Sequence, residues 1–170
     1  MKEFRVYDNV MANYYKSSFN SILPLNSWEF YSEYFESVIN FKNDIDQLNK
    51  ISVKWNFNED YVKEMVVNHK VVVVTTPTLE IVYASHNIKR MNGYIPQEVI
   101  GKSPKMFQGR DTCKLTTTKV GKAVKEALPF EVSVLNYRKD NSTYICKIQG
   151  FPVFSTNGKL VNYIAFEEAA

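Results

Sequence analysis

The chain has 170 residues, 45% of them hydrophobic and 23% charged, enough for one core of ordinary size together with a helical extension. Its net charge of +3 is too small to argue for nucleic-acid binding by itself. Two cysteines, Cys113 and Cys146, make neither a disulfide framework nor a metal cluster.

The 11 Tyr and 11 Phe require large buried aromatic surfaces or a partner that covers them. No apolar run is long enough to span a bilayer, and no charged-then-apolar leader follows Met1. The expectation is therefore no membrane contact and a cytoplasmic location. Residues 1–60 carry 6 basic and 9 acidic groups, net −3, whereas residues 61–170 carry 15 and 9, net +6.

Residues 1–26 lack clear periodicity, and Leu23-Pro24-Leu25 interrupts any helix there. Ser27 is a good N-cap, with Glu29 in the first turn, where the helix dipole favours an acid. Behind it Trp28, Tyr31, Phe35, Val38, Ile45 and Leu48 recur at helical spacing, which predicts an amphipathic helix ending near Asn49–Ser52. This stripe has two possible uses. It packs on the chain's own sheet, or it forms a homodimer seam through Trp28, Tyr31, Phe35 and Val38, because it approximates a heptad until Lys42 breaks it. A shorter helix is expected from Asn58 to Asn68, with Glu59 and Asp60 in its first turn.

Beyond residue 70 the pattern is that of strands. Val71–Thr75 is a β-branched run suited to a central strand buried on both faces. After the turn Thr76–Leu79, a second strand covers Glu80–Ala84. Short helices are expected over Asn87–Asn92 and Pro96–Ile100, stopped by Gly93 and Gly101. A longer helix follows over Lys114–Ala127, with Thr116, Val120, Ala123, Val124 and Ala127 facing inward. Three more strands close the chain: Glu131–Tyr137, Thr143–Phe154 and Leu160–Glu167. Asn157-Gly158 between the last two is a hairpin signal. In the first of these, Val132, Val134 and Asn136 share a face, which puts an amide in an apolar row. Cys146 is expected to turn its thiol toward the helices, with Ile148 on the opposite side.

Five short words stand in this order: Ile81-Val82-Tyr83-Ala84-Ser85, Gly93-Tyr94, Glu98-Val99-Ile100-Gly101-Lys102, Phe107-Gln108-Gly109-Arg110-Asp111-Thr112 and Asn136-Tyr137-Arg138-Lys139-Asp140. With the element order, they make the chain similar to PAS domains from near Val71 to Glu168. The Phe-Gln-Gly-Arg-Asp-Thr word resembles the flavin-binding LOV branch. The resemblance implies an α+β PAS fold: a five-stranded antiparallel sheet of order 2-1-5-4-3, with helices over one face around a pocket. Residues 1–68 form an N-terminal helical extension in this reading and residues 69–170 the PAS domain.

The same resemblance marks departures. The LOV cysteine that bonds to excited flavin corresponds to Pro104, and the asparagine before it to Ser103. An arginine that holds the flavin phosphate corresponds to Lys105, a cation without the bidentate fork. A second such arginine falls near Thr118. Of two asparagines that read the flavin ring, one corresponds to Asn136 and the other to Cys146, while the relay glutamine of the last strand corresponds to Glu167. Only Gln108 and Asn136 are retained.

The pocket is accordingly expected at Ser85, Asn87, Met91, Met106, Gln108, Asn136, Cys146 and Glu167. Cys146 on its own reads as a small buried hydrophobe. The lysines at 102, 105, 114, 119, 122 and 125 read as a solvated face, with an anionic ligand as the sharper alternative. Neither His69 nor His86 lies on the longer helix from which related domains supply a haem ligand.

No nucleophile elbow, phosphate-cradling loop or metal-ligand spacing points to an enzyme. The expected function is a sensory module without adduct photochemistry. It binds a small ligand or partner and relays the signal by conformational change and dimerisation to a downstream signalling protein. A noncovalent flavin sensor and a ligand-free interaction module are the alternatives, with no cofactor as the leading expectation.

Overall fold

Residues 27–170 are described in a computed structural model. Of the four residues of the expected dimer seam, Trp28, Tyr31 and Phe35 have side chains outside that description.

Helix α1 spans Ser27–Ser52, β1 is the short strand Trp55–Asn56 and α2 covers Tyr61–Val66. The second helix starts later than expected. Asp60 stands outside it as the N-cap, and its Oδ1 accepts a hydrogen bond from the amide of Lys63 at 2.9 Å, a role that requires non-helical backbone.

Strands β2 (Val71–Thr75) and β3 (Ile81–Ala84) follow. The short helices α3 (Ile88–Asn92) and α4 (Pro96–Val99) come next. Gly93 and Gly101 end this region in the left-handed conformation, at φ 82° and 80°, where a Cβ would be strained. A 3₁₀ turn over Pro104–Phe107 leads to α5 (Lys114–Lys125). That helix stops before Ala127, which adopts φ 51° instead of continuing it. The chain closes with β4 (Phe130–Tyr137), β5 (Thr143–Ser155) and β6 (Leu160–Ala169).

All strand pairs are antiparallel, in the order β3-β2-β6-β5-β4. Counting only the five long strands, this is the expected 2-1-5-4-3. The sheet gains a sixth member, because β1 pairs Trp55 with Ser155 and Asn56 with Phe154 along the β5 edge beyond the end of β4. The indole Nε1 of Trp55 donates to Asn162 Oδ1 at 3.1 Å and fixes this strand.

Alternation on β2 explains why all five of its residues are buried. Val71 and Val73 join an inner core with Ile81, Ile88, Met91, Val99, Phe107, Tyr144 and Cys146. Val72 and Val74 join an outer core with Leu48, Met65, Tyr83, Val153, Ile164 and Phe166. The outer core is sealed by the C-terminal half of α1 and by α2, through Phe41, Ile45, Ile51, Tyr61 and Val66. For Ile45 and Leu48, the α1 stripe is therefore used on the chain's own sheet. A polar clamp reinforces it: the buried Asp44 accepts hydrogen bonds from the backbone amide of His86 at 3.0 Å and pairs with its ring Nδ1. Phe41 meets the same imidazole edge to face at 4.7 Å. No helix among the described residues is long and apolar enough to cross a membrane.

Candidate functional site

The inner sheet face is a grid set by strand register. On β6, Tyr163, Ala165 and Glu167 lie opposite Thr75, Val73 and Val71 of β2. On the other side they oppose Pro152, Gly150 and Ile148 of β5. Strand β4 adds Phe130, Val134 and Asn136 opposite Gly150, Cys146 and Tyr144. Gly150 is needed there, because any Cβ would collide with the ring of Phe130 lying over it.

Helix α5 crosses above this grid and presents Thr117, Val120, Gly121 and Val124, spaced for one helical face. The hydroxyl of Tyr163 donates to the carbonyl of Val124 and ties α5 to β6. Ser103, Pro104, Lys105, Phe107 and Gln108 close the side. Together these elements surround a cavity of about 140 Å³. Its wall is apolar apart from a few side chains.

Three of those polar side chains are more than nine-tenths buried: Thr75, Asn136 and Glu167. Among the described residues, neither Thr75 Oγ1 nor Asn136 Oδ1 has a hydrogen-bond partner. The carboxyl of Glu167 receives there only the weak thiol donor of Cys146, whose Sγ lies 3.7 Å from Oε2. Desolvation pushes the Glu167 carboxyl up to about 7, and the thiol contact offsets this only in part. Burial raises the Cys146 thiol as well, and the neighbouring Glu167 adds to that rise.

Of the eight expected pocket residues, Gln108, Asn136 and Glu167 line this cavity. The other five do not. Ser85 Oγ accepts from the amide of Val72 at 2.8 Å and donates to Asn87 Oδ1 at 2.6 Å. Asn87 in turn donates to the carbonyls of His69 and Lys70. These two residues knot the start of β2 to the end of β3. Met91 and Cys146 belong to the inner core, and Met106 packs against it. Ile148 shares the inner face with Cys146, contrary to expectation, because residues two apart on a strand point the same way. Cys113 is exposed and caps α5, where hydrogen bonding by Thr116 lowers its thiol; it takes no part in the cavity.

Thr75, Thr117, Gly121, Phe130, Gly150 and Tyr163 were not among the expected residues, yet all line the cavity. The available signal was alternation: once Glu167 and Asn136 face inward, Tyr163 and Phe130 must do so too.

A PAS domain family model matches residues 68–168. Among curated proteins the chain is similar to phototropin-2 of Oryza sativa subsp. japonica, 36% identical over 93 residues, which is 55% of this chain and 10% of that protein. It is similar to protein TWIN LOV 1 of Arabidopsis thaliana, 38% identical over 88 residues, 51% of this chain and 22% of that protein. The chain thus spans less than a quarter of the length of these curated relatives. Among solved structures, it resembles a light-oxygen-voltage domain studied with a flavin analogue at TM-score 0.61 and 28% identity, covering 66% of this chain and 86% of that one. It also resembles the light state of the aureochrome1 LOV domain at TM-score 0.58 and 25% identity, covering 65% and 89%.

A flavin fits these residues poorly. The cavity of about 140 Å³ is well below the roughly 300–1,000 Å³ of pockets for ligands of drug size. Pro104 lines it without a nucleophile, and Glu167 presents a buried carboxyl in the same wall.

Proposed function

The chain belongs to the PAS domain family, and from that premise we propose that it is a sensory module reading a small ligand in the inner-face cavity. The ligand is noncovalent and no adduct photochemistry takes place. Pro104 supports this, standing in the cavity wall at the position of the reactive cysteine. Cys146, the one cysteine of the inner core, has its thiol held protonated by burial.

The carrying observation is the cavity itself, bounded on one side by the sheet and on the other by α5 and the 3₁₀ turn. An occupant that prefers one placement of α5 shifts the population of sheet and helix arrangements together, through the Tyr163–Val124 tether. The module has no catalytic role of its own. It acts in the cytoplasm on a downstream signalling protein, and it dimerises through the sequence stripe of Trp28, Tyr31, Phe35 and Val38.

The test is an absorbance spectrum of the purified chain, followed by mass spectrometry of the denatured sample. A colourless protein that releases a small molecule supports the reading. A yellow protein releasing flavin overturns it in favour of a noncovalent flavin sensor. A colourless protein that releases nothing, and whose melting temperature no small molecule shifts, overturns it in favour of a pure interaction module.

A further inference from the structure

The wall of the cavity carries an unmet demand. Glu167, with 6% exposure, faces it with a carboxyl whose only hydrogen-bond donor among the described residues is a thiol. Among the described residues no Lys, Arg or His forms an ion pair with it. Lys105, the one cation among the described residues that line the cavity, is exposed. Asn136 and Thr75, with 4% and 5% exposure, add two oxygens without partners.

Buried polar atoms left unpaired are rare, and a buried carboxylate is costly without a cation and donors. Most of the remaining wall, from Val73, Ala165 and Gly150 to Phe130, Val120 and Val124, is apolar, with Ser103, Lys105, Gln108, Thr117 and Tyr163 as its other polar members. The demand is therefore for a body that is greasy over most of its surface and rich in N–H donors along one edge.

We infer that the cavity selects a small flat cation, an aromatic amidine or an aminated heteroaromatic, whose N–H edge pairs with Glu167 while Asn136 and Thr75 accept its remaining donors. This rests on the ligand-binding reading above and names the ligand class for the same site. Two parallel N–H groups match a carboxylate in the bidentate manner of a guanidinium, and such charge-assisted pairs are stronger than neutral hydrogen bonds. The positive charge compensates the desolvated Glu167, and the flat ring lies along the sheet between Phe130 and the α5 face. A cavity of about 140 Å³ suits such a body, being close to the roughly 150 Å³ at which an engineered apolar cavity accepts benzene.

Benzamidine and acetophenone, alike in shape but differing in charge and N–H donors, are the probes. Their binding to the 170-residue chain and to Glu167→Gln is measured by calorimetry at pH 8, with circular dichroism to verify the fold of both proteins. Benzamidine is expected to bind the parent chain about tenfold or more tightly than acetophenone. Glu167→Gln is expected to lose that preference while keeping its affinity for acetophenone.

Equal binding of benzamidine by the two proteins overturns the inference. So does a parent chain that binds acetophenone as well as benzamidine, although ligand binding in the cavity then stands. If neither probe binds the folded parent chain, the inference falls, while the ligand-binding reading is decided separately by the absorbance and mass-spectrometric test above. Should Glu167→Gln fail to fold, Asn136→Leu and Thr75→Val replace it, and both are then expected to weaken benzamidine more than acetophenone.

Discussion

Cys146 directs its thiol at Oε2 of Glu167, 3.7 Å away, from the diagonal position across the β5–β6 ladder, where its direct partner is Ala169. A thiol is a weak donor, so it does little to restore what the carboxyl loses by leaving water. The folded chain holds this group at about 7, against an ordinary value of 4.5. Folding therefore favours the protonated form. The contribution to stability is complete below the ordinary carboxylate range and is lost as pH rises through about 7. Urea denaturation should show the parent chain losing about 3 kcal/mol between pH 4 and 8 relative to Glu167→Gln, which has no charge to bury. Identical pH dependence in the two proteins would show that folding leaves the Glu167 carboxyl at its ordinary value.

Leu48 is fully buried on the outer face, beside Met65, Val72 and Ile164. Truncating it leaves a cavity between α1 and the sheet, because β-sheet backbone cannot collapse to fill it. Leu48→Ala is expected to cost about 2–5 kcal/mol in chemical denaturation. A cost below half of the lower bound would mean that α1 does not seal this face in solution.

Asp44 holds both the backbone amide and the imidazole of His86. Asp44→Ala leaves a part-buried amide without its acceptor, at a cost of about 1 kcal/mol. Hydrogen exchange at the His86 amide should accelerate by a larger factor than exchange at Val74 in the central strand. Equal acceleration at both would show general destabilisation and not loss of a local clamp.

Gly121 sits inside α5, and a Cβ added there meets nothing within 4 Å. Gly121→Ala should therefore gain the helix-propensity difference, about 0.5–1 kcal/mol, as a raised melting temperature. A lowered melting temperature would place a neighbour against this helix face.

The five long strands were legible in the sequence because β-branched runs, alternation and the Asn157-Gly158 hairpin all agreed, and their order followed from the resemblance to PAS domains. The two-residue strand at Trp55 was not, since its pairing depends on a residue some hundred positions away, Ser155, and not on any local pattern. At the site, Asn136 could be placed on an apolar row by alternation, while Glu167 and Gln108 followed from the resemblance to the LOV branch. Ser85 and Asn87 were drawn into the expected pocket by their position after β3, yet their hydrogen bonds are spent on Val72, His69 and Lys70. Met91 and Met106 have the right chemistry for an adaptable cavity but stand on the core side of the short helices. A side chain's polarity was readable; which of two neighbours would satisfy it was not.

The PAS match begins at residue 68, but the greasy back of the sheet is roofed by residues that precede it, Leu48, Trp55, Tyr61 and Met65 among them. A fragment trimmed to the match would bare a slab of Val72, Val74, Tyr83, Ile164 and Phe166. Such a fragment would clump or recruit a stranger to that slab. Family borders record shared ancestry; the unit that survives in water here is cut elsewhere, at the point where the last oily surface finds its lid.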